Sequence, residues 1–167
     1  MIARILGAVL AGALMAGCAG VGARAADEDL VTRGQYLVTI MDCTGCHTPG
    51  ALVGKPDADR RLAGSSIGFG FPGGVVYPPN LTPDRETGLG AWTDAEIERA
   101  VRRGQSRDGR PLVPIMPWPS YAVLSDADAR AVVTYLRSLR PIRHAVPRPV
   151  KPGEKAVAPY LTVVEPR

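Results

Sequence analysis

Two thiols and an imidazole stand three and four residues apart in Cys43-Thr44-Gly45-Cys46-His47. At that spacing all three side chains share one face of a single helical turn and converge on one place. Cys-x-x-Cys-His is the spacing at which haem is attached covalently: the sulfurs form thioethers to the two vinyl groups, and the histidine reaches the iron. The same cysteines could instead form a redox dithiol or half of a zinc site. A redox dithiol usually lies beside a βαβ pattern, and no alternation of strand and helix is visible here. A zinc site needs further Cys or His ligands, and beyond the leader described next the chain offers only His144. The motif therefore reads as the attachment point of one covalent haem.

Residues 1–25 read as a signal peptide: Arg4, an apolar run from Ile5 to Ala16, and Ala23-Arg24-Ala25 as a small-x-small cleavage site. The run is too short for a comfortable membrane-spanning helix. Leu14-Met15-Ala16-Gly17-Cys18 also resembles a bacterial lipobox, with Met15 where Leu is usual. On that second reading Cys18 becomes a lipidated first residue and anchors the protein to a membrane. Cleavage after Ala25 is the preferred reading, and both place the mature chain in the periplasm. Of three cysteines, Cys18 lies in the leader and two serve the motif, so none remains for a structural disulfide. The haem must then supply much of the core.

The leader also corrects the charge. The whole chain has 20 Lys and Arg against 16 Asp and Glu; without Arg4 and Arg24 the balance is 18 against 16. Two haem propionates would bring that near zero, so the high isoelectric point is no argument for nucleic-acid binding. The arginines between Arg99 and Arg110 read as a solvated helix face and loop, or as a docking or propionate-binding surface.

About 142 residues remain after the leader, enough for one domain, and Cys-x-x-Cys-His occurs once. A first helix is expected from Leu30 to the motif, with Leu37, Ile40 and Met41 at helical spacing and Asp29 as N-cap. Gly34 inside it costs roughly 1 kcal/mol relative to Ala, which points to a close helix–helix approach. Residues 48–80 are rich in Gly and Pro and read as loop around one haem edge, with Phe69 and Phe71 as apolar packing for the ring. A second helix starts at the capping box Thr93-x-x-Glu96 and stops at Gly104. A third starts at Ser125, has Asp126 and Asp128 in its first turn, and presents Ala129, Val132, Val133, Leu136 and Leu139 on one face. It ends before Pro141. From there six prolines in 27 residues predict an extended tail over the surface or onto a partner. The organisation is thus 1–25 signal peptide, 26–140 haem domain and 141–167 Pro-rich tail.

With His47 on one side of the iron, the mature chain offers Met41, Met116 and His144 for the other. Met41 precedes Cys43 by two residues and is tied to the His47 side. His144 follows the third helix at the edge of the tail. Met116 lies in Pro114-Ile115-Met116-Pro117-Trp118-Pro119, where prolines stiffen an apolar loop and help hold a weak thioether ligand. Met116 is therefore the expected sixth ligand. His/Met ligation raises the reduction potential, because a soft thioether favours ferrous iron.

These residues fall into an ordered set: Gly34-Gln35-Tyr36-Leu37 ahead of the haem motif, Asn80-Leu81-Thr82-Pro83-Asp84, and Gly88-Leu89-Gly90-Ala91-Trp92-Thr93. The set continues through Arg107-Asp108-Gly109-Arg110 and Met116-Pro117-Trp118-Pro119-Ser120-Tyr121 to Tyr135-Leu136-Arg137-Ser138-Leu139. The chain resembles a class I cytochrome c, and more closely one domain of the cytochrome c subunits of bacterial membrane-bound alcohol, gluconate and aldehyde dehydrogenases. The likeness covers residues 34–141. It implies an all-α fold of the class I type, with three or more helices around one covalently attached haem c and long Gly/Pro-rich loops. It also implies that first and last helices cross, Gly34 meeting the region of Tyr135 and Leu136, and that the loop at Asn80 covers a haem edge. Trp92 lies near a propionate or in the core, and Arg60, Arg61 and Arg110 are unranked propionate partners. Those subunits typically carry three such domains and often a C-terminal membrane anchor; residues 150–167 hold no apolar run of that length.

The expected function is that of a periplasmic monohaem electron carrier in a respiratory chain, working between a dehydrogenase and a downstream cytochrome or terminal oxidase, and not an enzyme. The alternative is a haem enzyme acting on peroxide or small sulfur compounds through a displaceable sixth ligand, which would want an acid–base residue near the iron. A gas sensor would want an attached output domain.

Overall fold

The computed structural model describes residues 15–166, and their side chains from Asp27 onward. Among the described residues there are five α-helices: α1 Met15–Ile40, α2 Cys43–His47, α3 Asp94–Arg103, α4 Trp118–Tyr121 and α5 Asp126–Ser138. Three strands join them, β1 Gly68–Phe71, β2 Gly74–Val76 and β3 Tyr160–Leu161, together with 3-10 turns at Ala51–Val53 and Ala58–Arg60.

The core is the crossing of α1 and α5. Leu37 and Val38 meet Ala131, Val132, Tyr135 and Leu136, with Leu62, Leu89 and Ile97 filling in around them. Gly34 makes the crossing close: a Cβ there would stand 2.0 Å from the Ala131 carbonyl oxygen and 2.6 Å from Tyr135 Cβ. The partners of Gly34 are thus Ala131 and Tyr135, one turn apart on α5.

The first helix differs from expectation at both ends. Asp29 is an exposed residue within α1 rather than its N-cap, because Ala23, Ala25 and Ala26 and the charged residues after them carry no break. Nor does α1 run on into the haem motif. It stops at Ile40, and Asp42, with φ 50°, reverses the backbone and caps a separate short helix, α2. Residues 1–14 of the proposed leader, and the side chain of Cys18 with the rest of the lipobox, lie outside what is described. Among the described residues no helix is long and apolar enough to cross a membrane.

Helices α3 and α5 lie where their caps place them. Thr93 accepts from the Glu96 N–H while Glu96 accepts from the Thr93 N–H, and Gly104 closes α3 in the left-handed conformation. Ser125 accepts from the Asp128 N–H at the start of α5. The expected apolar face of α5 is buried at Ala129, Val132, Val133 and Leu136 and half-buried at Leu139.

To the expected helices the described residues add one small three-stranded sheet. Pro72-Gly73 turns a β1–β2 hairpin inside the segment expected to be loop, between β-favouring Phe69, Phe71, Val75 and Val76. Phe69 and Phe71 are half-buried on β1, whose partners are β2 and the tail. The Pro-rich tail lies over the surface and pairs with this hairpin. Val150 bridges Val75 on the outer edge of β2, and β3 then pairs in parallel with β1, so the tail clasps both edges of the hairpin. Val75, Tyr77 and Val150 form a small second core beneath it.

Candidate functional site

Asp42 builds the turn that carries the motif. Its backbone ends α1, and its carboxylate accepts from the Gly45 N–H at 3.2 Å at the start of α2. Cys43, Cys46 and His47 follow on this one short helix. Both thiols are half-buried and unpaired, and His47 is 8 % exposed. Burial pushes the Cys43 thiol up to about 12 and raises Cys46 as well, helped by the Asp42 charge. A working redox dithiol needs a stabilised thiolate, so this environment has the wrong sign for that chemistry. Zinc is no better served: among the described residues no three His, Cys, Asp or Glu side chains converge to hold a metal ion.

The orientation of His47 comes from 32 residues downstream. Its Nδ1 lies 2.8 Å from the Pro79 carbonyl oxygen. A carbonyl can only accept, so Nδ1 carries the proton and Nε2 presents its lone pair. Burial, opposed by the Pro79 bond, lowers the pKa of this imidazole and so favours the neutral form. An outer hydrogen bond of this kind fixes both tautomer and ring direction.

Pro79 is itself held by a buried network. Asn80 is 1 % exposed; its Nδ2 donates to Ile142 O at 2.7 Å and Thr87 Oγ1 at 3.1 Å, and its Oδ1 accepts from the Thr82 N–H and hydroxyl. Thr87 donates in turn to Asp84 through N–H and hydroxyl, both at 2.7 Å, and these bonds hold the Asp84 carboxyl below its ordinary range. The Asn80 loop is thus bolted to the first residues after α5. His144 is engaged there as well, with Nδ1 2.7 Å from the Ala63 carbonyl and its N–H on Thr87 Oγ1.

Met116 is half-buried in the loop before α4, its N–H on the Val113 carbonyl and its own carbonyl accepting from Trp118. Leu112 ties the loop's start to the Gly104 carbonyl. Trp118 packs over Gly104, where a Cβ would stand 2.4 Å from the indole; a side chain here would close that seat. The Tyr121 hydroxyl donates to the Met41 carbonyl at 2.7 Å, which brings α4 to the start of the haem motif. Burial, with Cys43, Cys46 and Asp42 adding to it, pushes the Tyr121 phenol up to about 12, so it remains a donor.

The donor chemistry of this chain fits a covalent haem. Two unpaired thiols and a neutral imidazole with a free Nε2 share α2, and two buried donors lack acceptors among the described residues: Arg99 Nε on α3 and Trp118 Nε1 on α4. Orphaned buried donors are rare in native proteins, and their sign suits carboxylates such as propionates. Of the propionate partners considered from sequence, Arg60 is paired with Asp57 at 2.7 Å, Arg110 reaches Asp108 at 3.9 Å, and Arg61 lines a surface groove with Arg140. Trp92 packs against the main core, which favours its core reading. Sequence reasoning missed Pro79 and Tyr121 as supports. Pro79 acts through a main-chain atom and has no side-chain signature. Tyr121 does stand out as a polar residue in the short run after Met116.

The sequence pattern of the cytochrome c family matches residues 31–140. A nicotinate dehydrogenase subunit of Pseudomonas putida is 40% identical over 118 residues, which are 71% of this chain and 9% of that protein. The cytochrome c subunit of the quinone alcohol dehydrogenase of Gluconobacter oxydans is 39% identical over 121 residues, 72% of this chain and 24% of its own. The gluconate 2-dehydrogenase cytochrome c subunit of Pantoea cypripedii is 37% identical over 121 residues, again 72% of this chain and 26% of its own. The chain spans about a tenth to a quarter of the length of these relatives. With the family's domain extending from α1 through α5 and its haem-attachment motif intact on α2, this chain belongs to the cytochrome c family, whose domain implies a covalently attached haem c.

Proposed function

We propose that this chain is a periplasmic monohaem cytochrome c that takes single electrons from a dehydrogenase and passes them to a downstream cytochrome or terminal oxidase. The observation that carries the reading is the capped turn of α2, with two thiols on one short helix and an imidazole held by Pro79. When bound, the haem supplies an iron that changes oxidation state by one electron. Cys43 and Cys46 fasten it, and His47 ligates through Nε2. Met116 is the sixth ligand, from a loop stiffened by Pro114, Pro117 and Pro119. A haem held by His47 and Met116 would keep its ligands through a change of oxidation state, which suits electron transfer without bond making.

The relatives support a dehydrogenase as donor, since they include cytochrome c subunits of alcohol and gluconate dehydrogenases and the cytochrome subunit of a fructose dehydrogenase. The docking surface of this reading lies around the Met116 loop, where Pro114, Ile115, Pro117 and Pro119 are exposed and Trp118 stands behind them. Residues 112–119 carry no acid–base side chain of the kind peroxide chemistry would use.

The visible spectrum of the haem-loaded protein tests the reading. The oxidised form should show the weak far-red band of thioether-to-iron charge transfer, and Met116→Ala should remove the band and lower the reduction potential. A band that survives Met116→Ala would assign the sixth position to another residue. A ferric protein that binds peroxide readily would favour the enzyme.

A further inference from the structure

The hydrogen bond from the Tyr121 hydroxyl to the Met41 carbonyl, 2.7 Å long, joins positions 80 residues apart. Met41 comes two residues before Cys43, where α1 has ended and Asp42 turns the chain into α2. Tyr121 is five residues beyond Met116, at the end of the short helix α4.

The chain between Met116 and Tyr121 is stiff. Pro117 and Pro119 restrict φ, the Trp118 N–H donates to the Met116 carbonyl at 2.7 Å, and the Ala122 N–H donates to the Trp118 carbonyl at 3.0 Å. A swing of Met116 therefore moves α4 with it. On its other side the loop is fastened to α3, by Leu112 on the Gly104 carbonyl and by Trp118 over Gly104. Those two ties hold the loop to α3 alone. The Tyr121 bond is the tie that runs from α4 to the segment bearing the cysteines.

We propose that Tyr121 is a positioning residue for Met116: its hydroxyl bolts the Met116 loop to the segment carrying Cys43, Cys46 and His47, and so sets how firmly the thioether is held at the iron. The inference rests on Met116 being the sixth ligand. A thioether is a weak ligand, and the ease with which a competitor displaces it includes the free energy of moving the loop that carries it. One net hydrogen bond changes such an equilibrium by about two- to tenfold.

The test titrates the ferric holoprotein with imidazole and follows loss of the far-red band. Tyr121→Phe keeps the ring and its packing and removes only the hydroxyl. It should raise the apparent affinity for imidazole by about two- to tenfold. Tyr77→Phe is the matched control, because the Tyr77 hydroxyl donates to the Ala158 carbonyl at 3.0 Å and ties the hairpin to the tail. It removes a bond of the same kind and should leave imidazole affinity unchanged. A rise in Tyr121→Phe alone supports the tether. Equal affinities in the wild type and Tyr121→Phe, or an equal rise in both variants, would overturn it and leave Tyr121 a contributor to general stability. A wild-type holoprotein without the far-red band would overturn the Met116 assignment, and the tether with it. The band present with affinities unchanged sinks the tether alone.

Discussion

Pro79 and Asn80 act on His47 by different means: one offers a main-chain carbonyl to Nδ1, and the other pins that carbonyl's segment to Thr82, Thr87 and Ile142. Asn80→Ala would remove the shorter of two bonds to the Ile142 carbonyl and leave the Thr82 N–H without its acceptor in a buried site. It should lower stability by about 1–3 kcal/mol in chemical denaturation. Asp84 belongs to the same network, and Thr87 holds its carboxyl below the ordinary range. A depressed carboxyl stabilises the fold above its unfolded pKa, and the contribution is lost as pH falls through the folded value. The wild type should therefore lose stability on acidification below the ordinary carboxylate range, and Asp84→Asn should flatten that acid limb in melts recorded against pH. Cys43, Cys46 and His47 are legible in sequence because their chemistry is local, within five residues. Pro79 is not, since its contribution is a carbonyl whose position depends on contacts up to 62 residues away.

Elements with side-chain caps are the most legible in the sequence. Thr93 with Glu96, Gly104, and Ser125 each satisfy or end a helix by local hydrogen bonding, so α3 and α5 follow from their boundaries. Thr93→Ala should cost about 1 kcal/mol, read from the midpoint of thermal or chemical unfolding. The break between α1 and α2 is harder to see, because Asp42 enters the left-handed region where glycine is the usual occupant. The β1–β2 hairpin carries a turn signal in Pro72-Gly73, yet its strands are only four and three residues long and gain a third only from the distant tail. Gly34 is the element-scale test of the helix crossing. Any side chain there meets the Ala131 carbonyl, and Gly34→Val should destabilise by at least about 1–3 kcal/mol, with the helices forced apart.

Across the whole molecule, two cores share the work. The α1–α5 core holds the motif-bearing segment in place, and the Val75–Tyr77–Val150 core fastens the tail over the hairpin. The tail also supplies Ile142, which accepts from Asn80, so it reaches back to the support of His47. Deleting residues 142–167 should cost on the order of 3 kcal/mol, from the lost burial of Val150 and the lost Asn80 and Tyr77 bonds. The thermal midpoint of the haem-loaded protein would show it. The most direct test of the proposed function is the intact mass of the denatured protein after production with a haem-attachment system. The account predicts the mass of the polypeptide plus one haem, and the polypeptide alone when Cys43 and Cys46 are both replaced by Ala. A wild-type mass without haem, or with more than one, would contradict it.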